Sequence, residues 1–474
     1  MKMKKFLLFA SLGLMIFASS CSDDNDTTTP VEADNVLSGD IATSRTLTAD
    51  KIWLLRGNVF VTGNSTLTIE PGTIIKGDKS TKGSLIITRG AKINAAGTAD
   101  KPIVFTSNAA AGGRSQGDWG GVILLGKANN NLGSAVPIEG ISDATDKAKH
   151  GGTEDADNSG VMKYVRIEFA GIPLGPDNEI NGLTFGSVGS GTTIDHIEVY
   201  RSGDDAYEWF GGTVNAKYLL AIATWDDDFD TDNGFSGKIQ FALAQRLAST
   251  ADVSGSNGFE SDNNSGGTTT ALTTKPLFAN VTILGPREHP QGTATAGPSV
   301  NANYQHAAQI RRNSAMSLNN SVLAGYTYGV FYDDALGNSS GALTGATPTS
   351  FFLNNLIYGC TTPIRATNAT ALADVTAKIT AGGTVISTDL ANALYTEPYK
   401  FAADLAGGGR VGVPNFTQKA GSVGLTGATF TGVYADAFFD KVAFKGAFGA
   451  DNWAAGWAHF DPQNLPYTTP GAVK

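Results

Sequence analysis

Apolar residues in this chain come in short runs, rich in Ile, Val and Leu, broken by Gly, Asn, Asp and Thr. Leu85-Ile86-Ile87, Ile103-Val104-Phe105 and Val122-Ile123-Leu124-Leu125 are typical. Runs this short, β-branched and bounded by turn residues, predict strands rather than helices. They also recur. Residues 67–75 align with 85–93 at an offset of 18, so that Ile69 falls on Ile87, Gly72 on Gly90 and Ile75 on Ile93. The same step leads from Ile87 to Phe105 and from Val104 to Val122. A repeat of about 20 residues predicts a solenoid, whose coils each bury an apolar face only by stacking on the next.

Farther along, the repeat lengthens. Val165-Arg166-Ile167-Glu168 is aligned with His196-Ile197-Glu198-Val199 by placing Glu168 on Glu198, 30 residues apart. Runs at 219–223, 239–243, 277–284, 316–323 and 351–358 continue the series, several with Ala-Asn or Asn-Asn beside the strand. These asparagines are expected to stack at a corner. Segments 127–160, 285–305 and 333–350 are expected to be side loops. The fold expected is all-β, a parallel β-helix over 48–365; an antiparallel β-sandwich pair would explain the short strands but not a constant offset. Residues 366–474 change character. An Ala/Thr/Leu-rich part at 370–398 predicts one or two helices, and Phe438, Phe439, Phe444, Phe448, Trp453, Trp457 and Phe460 predict an aromatic cap over the end of the stack.

The N-terminus predicts export. Lys2, Lys4 and Lys5 precede the apolar stretch 6–17, and Ala18-Ser19-Ser20 precede Cys21. Residues 1–20 are therefore expected to be a signal peptide. The Ala-Ser-Ser-Cys ending resembles a bacterial lipobox, which implies acylation of Cys21 and an outer-membrane anchor. Residues 21–47 are expected to be an acidic, Thr-rich tether. The serine and acids after Cys21 resemble the surface-export signal of Bacteroidota lipoproteins. Only one other cysteine exists, Cys360, so no disulfide framework is expected. A formal net charge of -10 argues against a nucleic-acid partner, which would need a basic face.

The chemistry-bearing residues lie in the middle. Asp204-Asp205-Ala206-Tyr207-Glu208 and Asp226-Asp227-Asp228-Phe229-Asp230-Thr231-Asp232 align at an offset of 22. On adjacent parallel strands their carboxylates would be about 5 Å apart. A third rung is expected at 257–262, offset by 24 from 233–235. Carboxylates held so close need a cation, an arginine or raised pKa values. Oxygen ligands in excess, with few His and no free Cys pair, favour Ca²⁺. The metal candidates are therefore Asp204, Asp205, Glu208, Asp226, Asp227, Asp228, Asp230 and Asp232. The other outcomes are a solvated acidic edge, or a ladder neutralised by Arg166 or Arg201. Trp209 and Trp225 are candidates for stacking on a sugar ring, and Arg311 and Arg312 for binding an anionic ligand. As paired acids, Asp204, Asp205 and Asp227, with Arg201 as base, would form a catalytic set for a glycoside hydrolase or polysaccharide lyase. No nucleophile elbow, phosphate loop or zinc spacing accompanies them.

The architecture resembles the right-handed parallel β-helix of pectate-lyase-like proteins. More narrowly, three phrases resemble a family of Bacteroidota surface lipoproteins with that fold: Thr68-Ile69-Glu70-Pro71-Gly72-Thr73-Ile74, Ser202-Gly203-Asp204-Asp205-Ala206-Tyr207-Glu208-Trp209-Phe210-Gly211-Gly212, and Asn452-Trp453-Ala454-Ala455-Gly456-Trp457. The resemblance implies a cell-surface binding protein, with a TonB-dependent transporter or a surface glycan as partner.

Overall fold

The computed structural model describes residues 34–142, 145–175, 178–287, 299–400 and 413–474. The expected signal peptide, Cys21 and most of the expected tether lie outside the described residues. Twenty-six strands form one continuous ladder, and every pairing within it is parallel. That excludes the antiparallel sandwich. The chain winds as a right-handed parallel β-helix with three faces. Face A holds Arg45–Leu47, Thr66–Ile69 and Lys92–Ala96. Face B holds Ile74–Gly77 and Ile103–Ser107, and face C holds Ser84–Ile87, Val122–Leu125, Leu183–Val188, Tyr207–Gly212 and Phe229–Asp232. From Gly160–Glu168 onward one long strand serves faces A and B together, as in Thr193–Tyr200 and Asn215–Ile222.

The stack begins at Val36, inside the segment expected to be tether, because Val36 pairs with Leu54. The offset of 18 is not the length of a coil. Leu67 pairs with Ile93, 26 residues on, and Ile86 pairs with Ile123. Ile69 and Ile87 therefore belong to different faces, and Phe105 and Val122 to two different faces again. What repeats every 18 residues is a turn. The backbone N–H of Thr73 donates to Glu70 O at 3.2 Å, and that of Ala91 to Thr88 O at 3.0 Å, each closing a turn around a glycine of positive φ, Gly72 or Gly90. The two turns occupy different corners of successive coils. The Glu168–Glu198 alignment slips likewise, since Arg166 is the partner of Glu198. This second slip is of two residues within one face, so it leaves the inside-outside alternation intact.

In the first coils the corner between faces A and B takes residues 70–73 and 97–102; from Gly160–Glu168 onward it uses one left-handed residue per coil. Tyr164, His196, Tyr218, Phe241, Asn280, Asn320 and Asn354 all hold φ between 48° and 60°. This left-handed conformation strains non-glycine residues. Stacking offsets the strain: ring centroids lie 4.4 Å apart for Tyr164–His196, 4.3 Å for His196–Tyr218 and 5.0 Å for Tyr218–Phe241. Above them Asn354 Nδ2 donates to Asn320 Oδ1 at 2.7 Å, the asparagine stack that the sequence predicts. Inside the coil, side chains of all three faces form one core that includes Ile69, Ile87, Leu124, Phe185 and Trp209.

In the C-terminal region the expected helix forms, but the expected cap does not. One helix, α1 (Ser339–Thr344), sits in a side loop, and a second, α2 (Ala369–Ala381), packs on the last coil. The aromatic segment does not cover that end. It runs back along the flank, from Thr429 O, which accepts from Asn319 and Asn320, past Asp440 on Gln240, to Val473 O, which accepts from Arg166. Its aromatic rings meet the stacked corner side chains, with Trp457 edge-on to Tyr164 at 5.8 Å. Apolar and ring surface to bury exists along this flank, which is why the segment lies there. Among the described residues no helix is long and apolar enough to cross a membrane.

Candidate functional site

The acidic ladder forms on face C and at the corner that precedes it. Tyr207 pairs with Phe229 and Glu208 with Asp230, which realises the offset of 22. Alternation sends Tyr207 and Trp209 inward and Glu208 outward. Trp209 is fully buried, stacked on Phe185 at 5.3 Å and Tyr207 at 5.9 Å. It is core and has no surface to offer a sugar, which corrects the ligand-binding expectation. Trp225 is the exposed one, 38% accessible, with Nε1 donating to Asp252 Oδ1 at 2.7 Å.

The third rung exists, but it is set by a different spacing. Phe259 pairs with Phe229 and Glu260 with Asp230, an offset of 30 rather than 24, because a side loop at 246–258 lengthens that coil. The carboxylates then fall into three overlapping groups: Asp204, Asp205 and Asp226; Asp205, Glu208 and Asp230; Asp227, Asp230 and Glu260. Within each group one oxygen per residue lies within 4.8 Å of the others. Asp205 Oδ1 accepts from the backbone N–H of Asp227 at 2.7 Å, and Asp227 Oδ1 from that of Asn257, which fixes the rungs.

Burial and mutual repulsion both act on these acids. Desolvation first, and Asp226 and Glu179 next, raise Asp204 well above its ordinary value. Desolvation, then Asp204 and Asp227, raise Asp205; desolvation and Asp230 raise Glu208. Asp226 is pushed up to about 6 by burial. Among the described residues Asp226 Oδ1 and Asp230 Oδ1 have no hydrogen-bond partner. Buried carboxylate oxygens of this kind need a proton or a cation. A set of oxygen donors alone, with unsatisfied valence, fits Ca²⁺.

The cations of the chain are placed elsewhere. Asp228 leaves the ladder: it points inward to Arg246, Nε to Oδ2 2.8 Å, with both side chains wholly buried. Arg246 also donates to Thr224 O and Asn257 O and is held charged by Asp228. Arg311 and Arg312 are engaged as well, Arg311 with Glu260 and Asp262, Arg312 with Asp262 at 2.6 Å. They close the far end of the ladder rather than wait for a ligand. Asp232, two residues beyond Asp230 on the same strand, is raised to about 7 by burial and by Asp262. Arg166 pairs with Glu168 at 3.3 Å under the C-terminal segment, on face B. Arg201 lies against the ring of Tyr200, its Cζ 5.7 Å from the centroid. Neither neutralises the ladder, and the groups acting most strongly on Asp204 and Asp205 are other acids.

One end of the ladder opens to a cleft of ≈ 490 Å³. Asp204, Asp226 and Trp225 form its wall on the coil side, and Glu179, Asp252 and Ser254 reach it from side loops. Ser254 Oγ donates to Asp226 Oδ2 at 2.9 Å. These loop residues carry no motif and were not legible in the sequence. Arg246, too, gave no signal. His196, a lone histidine on a strand, is structural: Nδ1 meets Asp195 Oδ1 at 2.5 Å, and its ring sits in the corner stack.

Neither the curated proteins nor the solved structures include a significant match to this chain. The family model of the pectate-lyase-like β-helix domain, by contrast, matches residues 39–397, which include the whole ladder and all of the stack but its first residues. With three-faced parallel winding from Val36 to Ser387 and a match over most of its length, the chain belongs to the pectate-lyase-like β-helix domain family.

Proposed function

We propose that this is an exported β-helix protein, anchored to the outer membrane through acylated Cys21 and facing the cell exterior, that binds a polyhydroxyl or acidic ligand at the cleft of Asp204, Asp226 and Trp225 with the help of Ca²⁺. The observation that carries the reading is the close group Asp204, Asp205 and Asp226 at the cleft wall. These three residues would hold one ion; Asp205, Glu208 and Asp230, or Asp227, Asp230 and Glu260, would hold another. At Asp204, Asp205 and Asp226 a bound Ca²⁺ would supply positive charge where, among the described residues, no arginine or lysine is in ion-pair contact, whereas Glu260 already has Arg311. Trp225 then offers a ring face, and Asp252 orients it by accepting from Nε1. The partner class in this reading is a surface glycan or a TonB-dependent transporter.

A second reading, a polysaccharide lyase or glycoside hydrolase, is favoured by the family match. Against it, Arg201, the base that reading assigns, lies on Tyr200, and Arg311, beside Glu260, is already engaged by Glu260 and Asp262. One experiment addresses both. The full mature chain is titrated with Ca²⁺ and followed by thermal unfolding, then incubated with polygalacturonate. The binding reading expects stabilisation by Ca²⁺, loss of that stabilisation in Asp226→Asn, and no turnover. Absence of any Ca²⁺ effect would sink it, and uronate cleavage abolished by Asp227→Ala would replace it with the second reading.

A further inference from the structure

The C-terminal segment 453–474 lies across the outer side of face B, beyond the region 39–397 that matches the family. It adds no strand to the ladder, so side chains and a few backbone groups hold it in place. Beneath it runs one outward row of paired residues, Ile52, Ile74, Val104, Arg166 and Glu198. Leu465, Tyr467 and Val473 cover the apolar part of that row. A segment docked without ladder hydrogen bonds is a unit that opens by itself while the coils stay wound.

Charged side chains are shut in under this segment. Arg166 Nη2 donates to Tyr467 Oη at 2.9 Å and to Val473 O at 2.6 Å, and Tyr467 Oη donates to Glu168 Oε1 at 2.8 Å. Arg114 Nη1 donates to Pro462 O at 2.6 Å. Glu198 Oε2 accepts from the backbone N–H of His459 at 3.0 Å. All four of these charged residues of the coils are buried. Their hydrogen bonding is incomplete: among the described residues Glu198 Oε1, Glu168 Oε2 and two nitrogens of Arg114 have no partner.

Glu198 is the member whose charge is least supported. Burial pushes it up to about 8, against the attraction of Arg166, and Glu168 adds repulsion. Arg166 and Glu168 face it from the preceding coil, Leu220 from the following one, Tyr200 and Tyr207 from face C and the strand that leads to it, and His459 from the segment. Asp461, also on the segment, acts on Tyr200. Burial raises Tyr200 to about 12 and lowers His459 to about 4, so neither changes charge near neutral pH.

We propose that segment 453–474 is a latch on face B, closed while the Glu198 carboxyl keeps its proton and released when that proton passes to water. With the proton gone, a second carboxylate is buried beside Glu168, with Oε1 lacking a donor. Lifting the segment lets water reach it. The open state uncovers Ile52, Ile74 and Val104 together with Arg114 and Arg166, a strip that the closed state hides. A carboxyl whose pKa is raised from 4.5 to about 8 by closure favours the closed state fully below pH 4.5, and that support is lost as pH rises through about 8. The opening equilibrium is then expected to rise about tenfold from pH 7 to pH 9.

Hydrogen–deuterium exchange of the full mature chain between pH 6 and pH 9, corrected for the intrinsic exchange rate, tests this. The amides of 455–473 are expected to show the rise of about tenfold in opening, while those of Asn215–Ile222 stay protected. Glu198→Gln keeps an acceptor for the His459 N–H but has no proton to lose, and is expected to abolish the rise. A corrected profile for 455–473 that is flat from pH 7 to pH 9, a rise shared equally by the coils, or a rise that survives in Glu198→Gln would each overturn the proposal. Should that variant fail to fold, the wild-type profile decides by the first two outcomes.

Discussion

Removing divalent cations should invert the usual pH dependence of stability in this protein. Asp226 is raised from 3.8 to about 6 by burial in the folded chain, and Asp204, Asp205, Glu208, Asp227 and Asp230 are raised well above their ordinary values. A carboxyl whose folded pKa is raised binds more protons folded than unfolded between the two values. Its contribution is therefore complete below pH 4 and is lost as pH rises through its folded pKa. For Asp226 alone the shift of about two units corresponds to about 3 kcal/mol. For a cooperative unit of this size that is about 3 °C in Tm. The neighbours titrate with it, in overlapping steps that belong to the cluster. About half of the Asp226 contribution is lost between pH 5 and pH 8, so in EDTA the Tm at pH 5 is expected to exceed that at pH 8 by at least about half this amount. Saturating Ca²⁺ should raise the Tm at pH 8 more than at pH 5, and its binding should release protons. Differential scanning calorimetry across pH 4–8, with and without Ca²⁺, measures this. A metal-free Tm that climbs steadily from pH 5 to pH 8 would refute the reasoning, because it would mean that the acids are neither buried nor coupled.

Two further outcomes concern the frame that holds the ladder. Arg246→Met leaves the Asp228 carboxyl buried and unpaired, and is expected to cost about 3–5 kcal/mol, read as a lowered midpoint in chemical denaturation. In Gly160→Ala a Cβ would stand 1.8 Å from Ile93 O, on a backbone of φ +116. The start of its coil must then shift, so a marked fall in Tm and in soluble yield is expected; a Tm within a degree of wild type would count against the packing described.

The acids of adjacent coils were legible because nothing intervenes between 208 and 230 but one regular circuit. Parity carried the rest of that strand: with Glu208 outward, Trp209 had to be inward, and reading the alternation strictly would have removed it from the ligand candidates. The offset of 18 misled because a glycine turn recurs at two corners, and a turn motif marks backbone geometry without saying which face follows. The third rung slipped because the loop at 246–258 adds length that no local pattern reveals. Residues brought in by such loops, Glu179, Asp252 and Ser254, have partners only in three dimensions. Arg246 was hidden for a related reason. Its partner Asp228 reads as one more acid in a run of acids, and only the inward direction of that side chain separates it from the rest.

From Tyr164 to Asn354 the bend between faces A and B spends one residue per circuit, where the first coils spend more, at 70–73 and 97–102. Over that stretch inserted sequence enters at the other two bends, the borders of face C, and at one of them lies the cleft of Asp204 and Asp226. The molecule thus separates what must stay constant from what is open to change. New recognition can be acquired by exchanging loops around face C, while the opposite edge keeps the circuits in register.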